Sequence, residues 1–416
     1  MLAVLLGVFA QASPIERYLA EKDAAARTKI LAEIKGTHAQ IEEELRRPRK
    51  RPVPESTGQV VQRKLKAQHP QSVEFEYALW IPKDYAPTKL WRLLISLHGQ
   101  GGNGPDFMRN WRGDLERAGD TFLLCPSAGR GGWGRSLLGH HYILDSLRDV
   151  MENYAIDPDL VFIDGASMGG NGSFEFACMY PDLLAGAAPR SGGPMFRYVT
   201  AGTDKKENNV IAEGLGNLLA TPLYWTVGAK DPELNNAWVK TAKGQIDALK
   251  LDCVFQEYPN GGHEWFPQEN AKILEWMGTK RRSAYPTRVG VETHDRLFNR
   301  CFWLEVAEFR GKEIIKRGFK DLEGKTIEDR LVFQEEIQVR AELLRDSNEI
   351  KATASGAREL KIYLHERMVD VAKPVAITVN GSRSTYNVKP SVETLLESAR
   401  RDRGLLYSAV VTVRIP

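Results

Sequence analysis

The chain has 416 residues, more than one ordinary core holds, so two or three domains are expected. Hydrophobic residues make up 42% and charged residues 27% with no long biased tract, which excludes a disordered or fibrous chain. The 57 basic and 54 acidic residues leave a formal net charge of +3, so nothing in the charge balance favours nucleic acid as a partner.

Leu2 to Ala10 is a short apolar stretch, and Ala10-Gln11-Ala12 has the small-x-small form of a signal-peptidase site. Residues 1–12 therefore read as a signal peptide, which implies a secreted or periplasmic protein. No Lys or Arg precedes the apolar stretch, and the competing reading is the apolar start of a first helix in a cytoplasmic protein. The stretch is too short to span a bilayer as a helix, and no integral membrane segment is expected later in the chain.

Residues 13–52 read as an N-terminal helical segment and linker. Ile30, Ile34, Ile41 and Leu45 recur at helical spacing, and Gly36 bends or divides the helix. The run Arg46-Arg47-Pro48-Arg49-Lys50-Arg51-Pro52 is broken by prolines and reads as a solvated connection, not a phosphate-binding or localisation signal.

Residues 53–284 change character. Val73 to Ile81 alternates apolar and polar residues, as a half-buried strand does. Trp91–Leu97, Thr121–Cys125 and Leu160–Ile163 are nearly continuous apolar runs, which suit parallel strands covered on both faces. Between the last two, Leu138 to Tyr154 carries a helical apolar stripe, and Asp157-Pro158-Asp159 reads as the turn into the next strand. A helix through Phe174 to Tyr180 stops at Pro181; strands are expected near Ala185–Ala188, Leu223–Val227 and Val254–Tyr258, then a helix over Glu269–Trp276. This alternation predicts an α/β class domain with a doubly wound, mostly parallel sheet.

From residue 285 to 416 the pattern becomes short strands: Phe302–Phe309, Leu331–Arg340, Leu360–Leu364, Val375–Val379 and Ala409–Ile415. Asn380-Gly381 between two such runs is a two-residue hairpin signal, and a separate C-terminal, mostly β domain is expected. The four cysteines, Cys125, Cys178, Cys253 and Cys301, show no C-x-x-C spacing and read as free thiols, not as a disulfide framework or zinc site.

One turn carries chemistry. Gly165-Ala166-Ser167-Met168-Gly169 follows the apolar strand Val161-Phe162-Ile163-Asp164 and precedes a helix. A serine on a tight strand-to-helix turn needs glycines around it, because the bent backbone and close helix leave no space for larger side chains. Such a turn lifts the Ser167 hydroxyl clear of the sheet as a nucleophile and aims the Met168 amide at the carbonyl under attack. Of eight histidines, His263 is the best base, in the loop Asn260-Gly261-Gly262-His263-Glu264-Trp265 after a strand. His140 and His141 open a helix, where one could reach the pocket to touch substrate, and the structural reading is preferred for them; His69, His294 and His365 lie outside the sheet region. Asp231, in Gly228-Ala229-Lys230-Asp231-Pro232 after the apolar strand, is the acid that orients His263. In Leu97-His98-Gly99-Gln100-Gly101-Gly102-Asn103 the Gln100 amide is the second candidate oxyanion donor; the string lacks the closing Gly-Lys-Ser/Thr of a phosphate loop.

These residues resemble the α/β-hydrolase superfamily in the order Ser, Asp, His and in the His-Gly-x-Gly-Gly element before the nucleophile. More narrowly, Asp157-Pro158-Asp159-Leu160-Val161 leading to Gly165-Ala166-Ser167-Met168-Gly169-Gly170 is similar to bacterial exported esterases of the feruloyl-esterase, polyhydroxybutyrate-depolymerase and prolyl-oligopeptidase-like group. The resemblance covers residues 72 to 282 and implies a serine carboxylesterase that needs no metal or organic cofactor. Its substrate would be a small-molecule or polysaccharide-linked ester. Trp111, Trp133 and Trp265 stand where aromatic pocket walls belong, with Trp133 and Trp265 the substrate-binding candidates; packing beneath the loops is the competing reading. The alternatives are a serine peptidase of the same group and an inactive binding or scaffold protein whose β domain does the work.

Overall fold

The computed structural model describes residues 12–46, 57–69, 72–129, 132–134, 137–198, 210–320, 326–401 and 404–415. Residues 1–11 of the expected signal peptide and most of the basic connection lie outside them. The apolar runs of the central region form eight strands. They are β1 (Val60–Lys66), β2 (Glu74–Trp80), β3 (Trp91–Leu97), β4 (Thr121–Pro126), β5 (Ile156–Ala166), β6 (Gly186–Arg190), β7 (Leu223–Gly228) and β8 (Cys253–Tyr258). They make one sheet in the order β1-β2-β4-β3-β5-β6-β7-β8, parallel from β4 through β8 and antiparallel at β1 and β2.

Period-2 alternation explains why these runs read as apolar without a break. Leu93, Ile95, Ile163 and Trp225 point to one face, under the helices Leu137–Asn153, Met168–Met179 and Asn236–Leu249. Leu94, Leu123, Phe162 and Tyr224 point to the other, under Arg109–Ala118 and Asn270–Thr279. Both faces are covered, as the doubly wound expectation requires. The Asp157-Pro158-Asp159 turn is corrected: these residues lie within β5, which starts at Ile156 and breaks register between Trp91 and Leu93 of β3. Proline has no amide to donate, and the ladder accommodates it with an irregularity.

The C-terminal region is a two-sheet sandwich. Five strands (Arg288–Thr293, Ile337–Leu344, Glu349–Ser355, Val375–Val379, Ser382–Tyr386) face four (Arg300–Cys301, Leu304–Phe309, Ala357–Leu364, Ala409–Arg414) across one core. Asn380 and Gly381 turn the hairpin with φ of 50° and 84°, as its sequence demands. The single strand expected over Leu331–Arg340 is two, Thr326–Phe333 and Ile337–Leu344, which belong to different sheets. A helix, Val392–Arg401, interrupts the β pattern.

The N-terminal segment forms three helices, Pro14–Ala20, Ala24–Glu33 and His38–Arg46; the second break falls at Gly36 as expected, and the first, before the Asp23 cap, was not read from the sequence. They pack on the C-terminal region: Ile15, Tyr18 and Ile41 share a cluster with Leu395, Leu396 and Leu406. The Tyr18 hydroxyl donates to Glu397 at 2.9 Å. Among the described residues no helix is long and apolar enough to cross a membrane, and all four cysteines are free.

Ile41 is 2% exposed in this cluster. Ile41→Ala is therefore expected to cost about 2–4 kcal/mol by loss of burial and a residual cavity, read by denaturant unfolding of the whole chain.

Candidate active site

The turn after β5 carries Ser167 at φ 60° and ψ −123°, a strained conformation for a residue with a side chain. Backbone contact holds it there. A Cβ on Gly169 would lie 2.0 Å from the Leu97 carbonyl oxygen, and one on Gly165 would lie 2.4 Å from that of Gly169. The Ser167 amide donates to the Arg190 carbonyl of β6 at 3.1 Å.

The histidine arrives from the loop after β8. His263 Nε2 lies 2.7 Å from Ser167 Oγ, and its Nδ1 lies 2.8 Å and 3.0 Å from the two Asp231 oxygens. The Asp231 carboxylate is fully shielded from solvent and also accepts the Glu233 amide at 2.8 Å. Its loop joins that of His263 through Lys230 N–H donating to the Gly261 carbonyl at 2.9 Å. The exposed Glu233 carboxylate stands 3.5 Å from Nε2 on the solvent side. All three residues singled out from the sequence thus meet in one hydrogen-bonded chain.

The loop after β3 is pinned by His98. Its Nε2 accepts the Ala128 amide at 2.9 Å, its Nδ1 faces the Gly99 carbonyl at 2.7 Å, and burial holds its pKa below the usual histidine value. Gly99 packs on the serine, its would-be Cβ 3.5 Å from Ser167 Cβ. That brings the Gln100 segment beside the nucleophile, while Met168 opens the helix with its amide outside the intrahelical ladder.

The pocket-wall reading is corrected for Trp111 and Trp133. Trp133 is fully buried, its indole N–H donating to the His98 carbonyl at 2.7 Å, and its ring presses on Gly172. Trp111 is likewise buried, on the helix Arg109–Ala118, and donates to Asp164. Trp265 is partly exposed, but Arg190 lies over its ring at 3.9 Å and Phe107 and Trp111 meet it edge-on. Trp111 and Trp133 pack beneath the loops because each buries a large apolar surface while its N–H finds an acceptor. His140 is buried among Phe176, Tyr180 and Phe298, as the structural reading of it expected.

Two buried charges beside the nucleophile went unread. Asp164 and Arg190 are both fully buried, 3.3 Å apart, at the ends of neighbouring strands. Burial pushes the carboxyl up and the guanidinium down to about 10, each against the attraction between them. The signal was present: Arg190 is the one charge of β6, and Asp164 closes the apolar run Leu160–Ile163 of β5, in a sheet whose two faces are covered.

The strand order, the strained serine turn and the hydrogen-bonded Ser-His-Asp chain coincide with the likeness to curated esterases. A probable feruloyl esterase C of Aspergillus niger is 29% identical over 125 residues, 28% of this chain and 46% of that protein. The carboxylesterase SOBER1 of Arabidopsis thaliana is 24% identical over 159 residues, 38% and 64% of the two chains. The fold is that of the α/β-hydrolases. A poly(3-hydroxyalkanoate) depolymerase C of Paucimonas lemoignei is 33% identical over 97 residues, 23% of this chain and 19% of that one. The chain spans about half the length of the feruloyl esterases it matches, and it matches no protein-family model. Among solved structures, a thermostable esterase superposes with a TM-score of 0.43 at 22% identity, covering 54% of this chain and 63% of its own.

Glycine contacts separate tolerant from intolerant positions in this fold. Gly169→Ala, whose Cβ would strike the Leu97 carbonyl, is expected to destabilise by about 3 kcal/mol or more. Gly262→Ala, which meets nothing within 4 Å, should stay within about 1 kcal/mol. Thermal unfolding of the two variants reads the contrast.

Proposed function

We propose that this protein is a serine carboxylic ester hydrolase that works through an acyl-enzyme. The observation that carries the proposal is the unbroken chain from Ser167 Oγ through His263 to the buried Asp231, set on a strained turn beside the Gln100 loop.

Ser167 Oγ attacks the ester carbonyl while its proton passes to His263 Nε2. Asp231 stabilises the imidazolium and holds Nδ1 in the donating tautomer. The negative charge on the former carbonyl oxygen is met by the amides of Met168 and Gln100, each such donor worth about 3–4 kcal/mol in related sites. His263 then gives its proton to the departing alcohol oxygen. In the second half, water loses a proton to His263 and attacks the acyl carbon; the Ser167 oxygen leaves and takes that proton back. Each proton is returned, and every step is served by groups of this chain alone.

Carboxylic esters are preferred over peptide bonds because the curated relatives that share this segment are named esterases, among them feruloyl esterases. An ester of an aromatic acid is the natural first substrate to assay. The buried state of Trp111 and Trp133 means that aromatic recognition does not rest on those two rings.

p-Nitrophenyl acetate and methyl ferulate hydrolysis should both be lost in Ser167→Ala. Asp231→Asn should reduce kcat by about 10⁴-fold, because the amide favours the wrong histidine tautomer. Equal turnover by wild type and Ser167→Ala would refute the assignment, and so would failure of a fluorophosphonate probe to label Ser167.

A further inference from the structure

We propose that the end of β6, Arg190 with Ser191, is the positioning element that sets the His263 imidazole against Ser167. Arg190 acts as a positioning residue and not as a group that touches substrate. The inference rests on the acyl-transfer proposal and deepens it.

The loop that carries His263 has no regular structure until the turn Pro267–Glu269, so something outside it must fix where the imidazole stands. The residues directly after His263 are gripped one by one. Ser191 Oγ donates to the Glu264 carbonyl at 2.8 Å and accepts the Glu264 amide at 3.3 Å. Arg190 Nη1 donates to the Trp265 carbonyl at 3.2 Å, the Phe266 carbonyl at 3.3 Å and Asn270 Oδ1 at 2.7 Å. Its guanidinium also lies over the Trp265 ring at 3.9 Å and over Trp111 at 4.8 Å. Two adjacent residues of one strand end thereby hold three consecutive residues of the histidine loop.

The same strand end reaches the other members of the site. The Arg190 carbonyl accepts the Ser167 amide at 3.1 Å, and the Ser191 amide donates to Thr226 of β7, the strand that leads to Asp231, at 3.0 Å. Arg190 Nη2 pairs with Asp164, three residues before the nucleophile on β5, at 3.3 Å. Nucleophile turn, acid strand and histidine loop are therefore referenced to a single point. The backbone there is under tension: Ser191 at φ 42° and Phe266 at φ 55° are in the left-handed region, which side-chain-bearing residues keep only where surrounding contacts hold them.

A fully buried guanidinium is an expensive way to fill a core, and an apolar side chain of similar volume would serve packing as well. What the planar guanidinium supplies, and neither Met nor Lys supplies, is Nη1 aimed at the loop carbonyls, Nη2 held toward Asp164 and a flat face laid over Trp265, all fixed on one rigid group. The position chosen for it is beside the reacting hydroxyl.

The decisive variants are Arg190→Met combined with Asp164→Asn, which removes the buried pair as a unit, and Arg190→Lys, which keeps the charge but not the fork. Near-UV circular dichroism establishes that each is folded, and Arg190→Lys decides alone if the pair variant is not. The expected result is a fall in kcat for p-nitrophenyl acetate of about 100-fold with KM changed less than about threefold, the signature of a catalytic group displaced by about 1 Å. Fluorophosphonate labelling of Ser167 should slow in parallel. Ser146→Ala, which loses a buried bond to the Tyr142 carbonyl in the helix Leu137–Asn153, away from the histidine loop, should keep the wild-type kcat. Folded Arg190 variants with wild-type kcat overturn the proposal. A loss of kcat that merely follows the loss of the near-UV signal overturns it too, since Arg190 would then only hold the core. If wild-type protein is not labelled at all, the acyl-transfer proposal itself falls, and that is seen before any variant is compared.

Discussion

The site depends on backbone touching backbone where the helix Met168–Met179 begins. The helix comes so close to β3 and β6 that a single methyl on Gly169 or Gly170 would lie 2.0 Å or 2.2 Å from the carbonyl oxygens of Leu97 or Arg190. At that separation the helix cannot slide or tilt, so the serine that starts it has one place to be. The strained φ of Ser167 is maintained by this packing, which offsets a conformational cost of about 1–3 kcal/mol. The strand ends, the Gln100 loop and the histidine loop then need only be held at fixed distances from one rigid origin.

Around that origin the chain divides its labour. The parallel sheet brings the carboxyl ends of β3, β5, β6, β7 and β8 side by side, so residues far apart in sequence meet on one edge. The sandwich docks away from this chemistry, through its strand Arg288–Thr293. There Glu292 exchanges hydrogen bonds with Gly216 and Asn217 of the turn before β7. The N-terminal helices serve the sandwich, not the sheet, because the apolar stripe of Val392–Arg401 is completed by Ile15, Tyr18 and Ile41. The two ends of the chain thus form one small core.

Legibility followed the range of the interaction. Trp91–Leu97 was read with its observed ends because a strand buried on both faces is a continuous apolar run, and period and boundary are both local. The Asn380-Gly381 turn was legible for a similar reason, since positive φ at two successive residues selects residue types directly. The Leu331–Arg340 run was misread, because only partner strands reveal that one apolar stretch serves two sheets. Trp133 was misread because an indole beside a loop looks the same in sequence whether it faces a pocket or lies beneath it.

By itself, then, the sequence determined the alternation of strands and helices, the glycines that permit the Ser167 turn, and the order in which serine, aspartate and histidine appear. These are matters of local backbone geometry and periodicity, and residue types encode them nearly one position at a time. Only the tertiary structure decided that Nε2 of His263 stands 2.7 Å from Ser167 Oγ and that Arg190 grips the loop behind it. It alone decided that Tyr18 and Glu397 are neighbours. Such contacts join residues whose separation along the chain says nothing about their distance in space, and their energies depend on burial that exists only after the chain has folded.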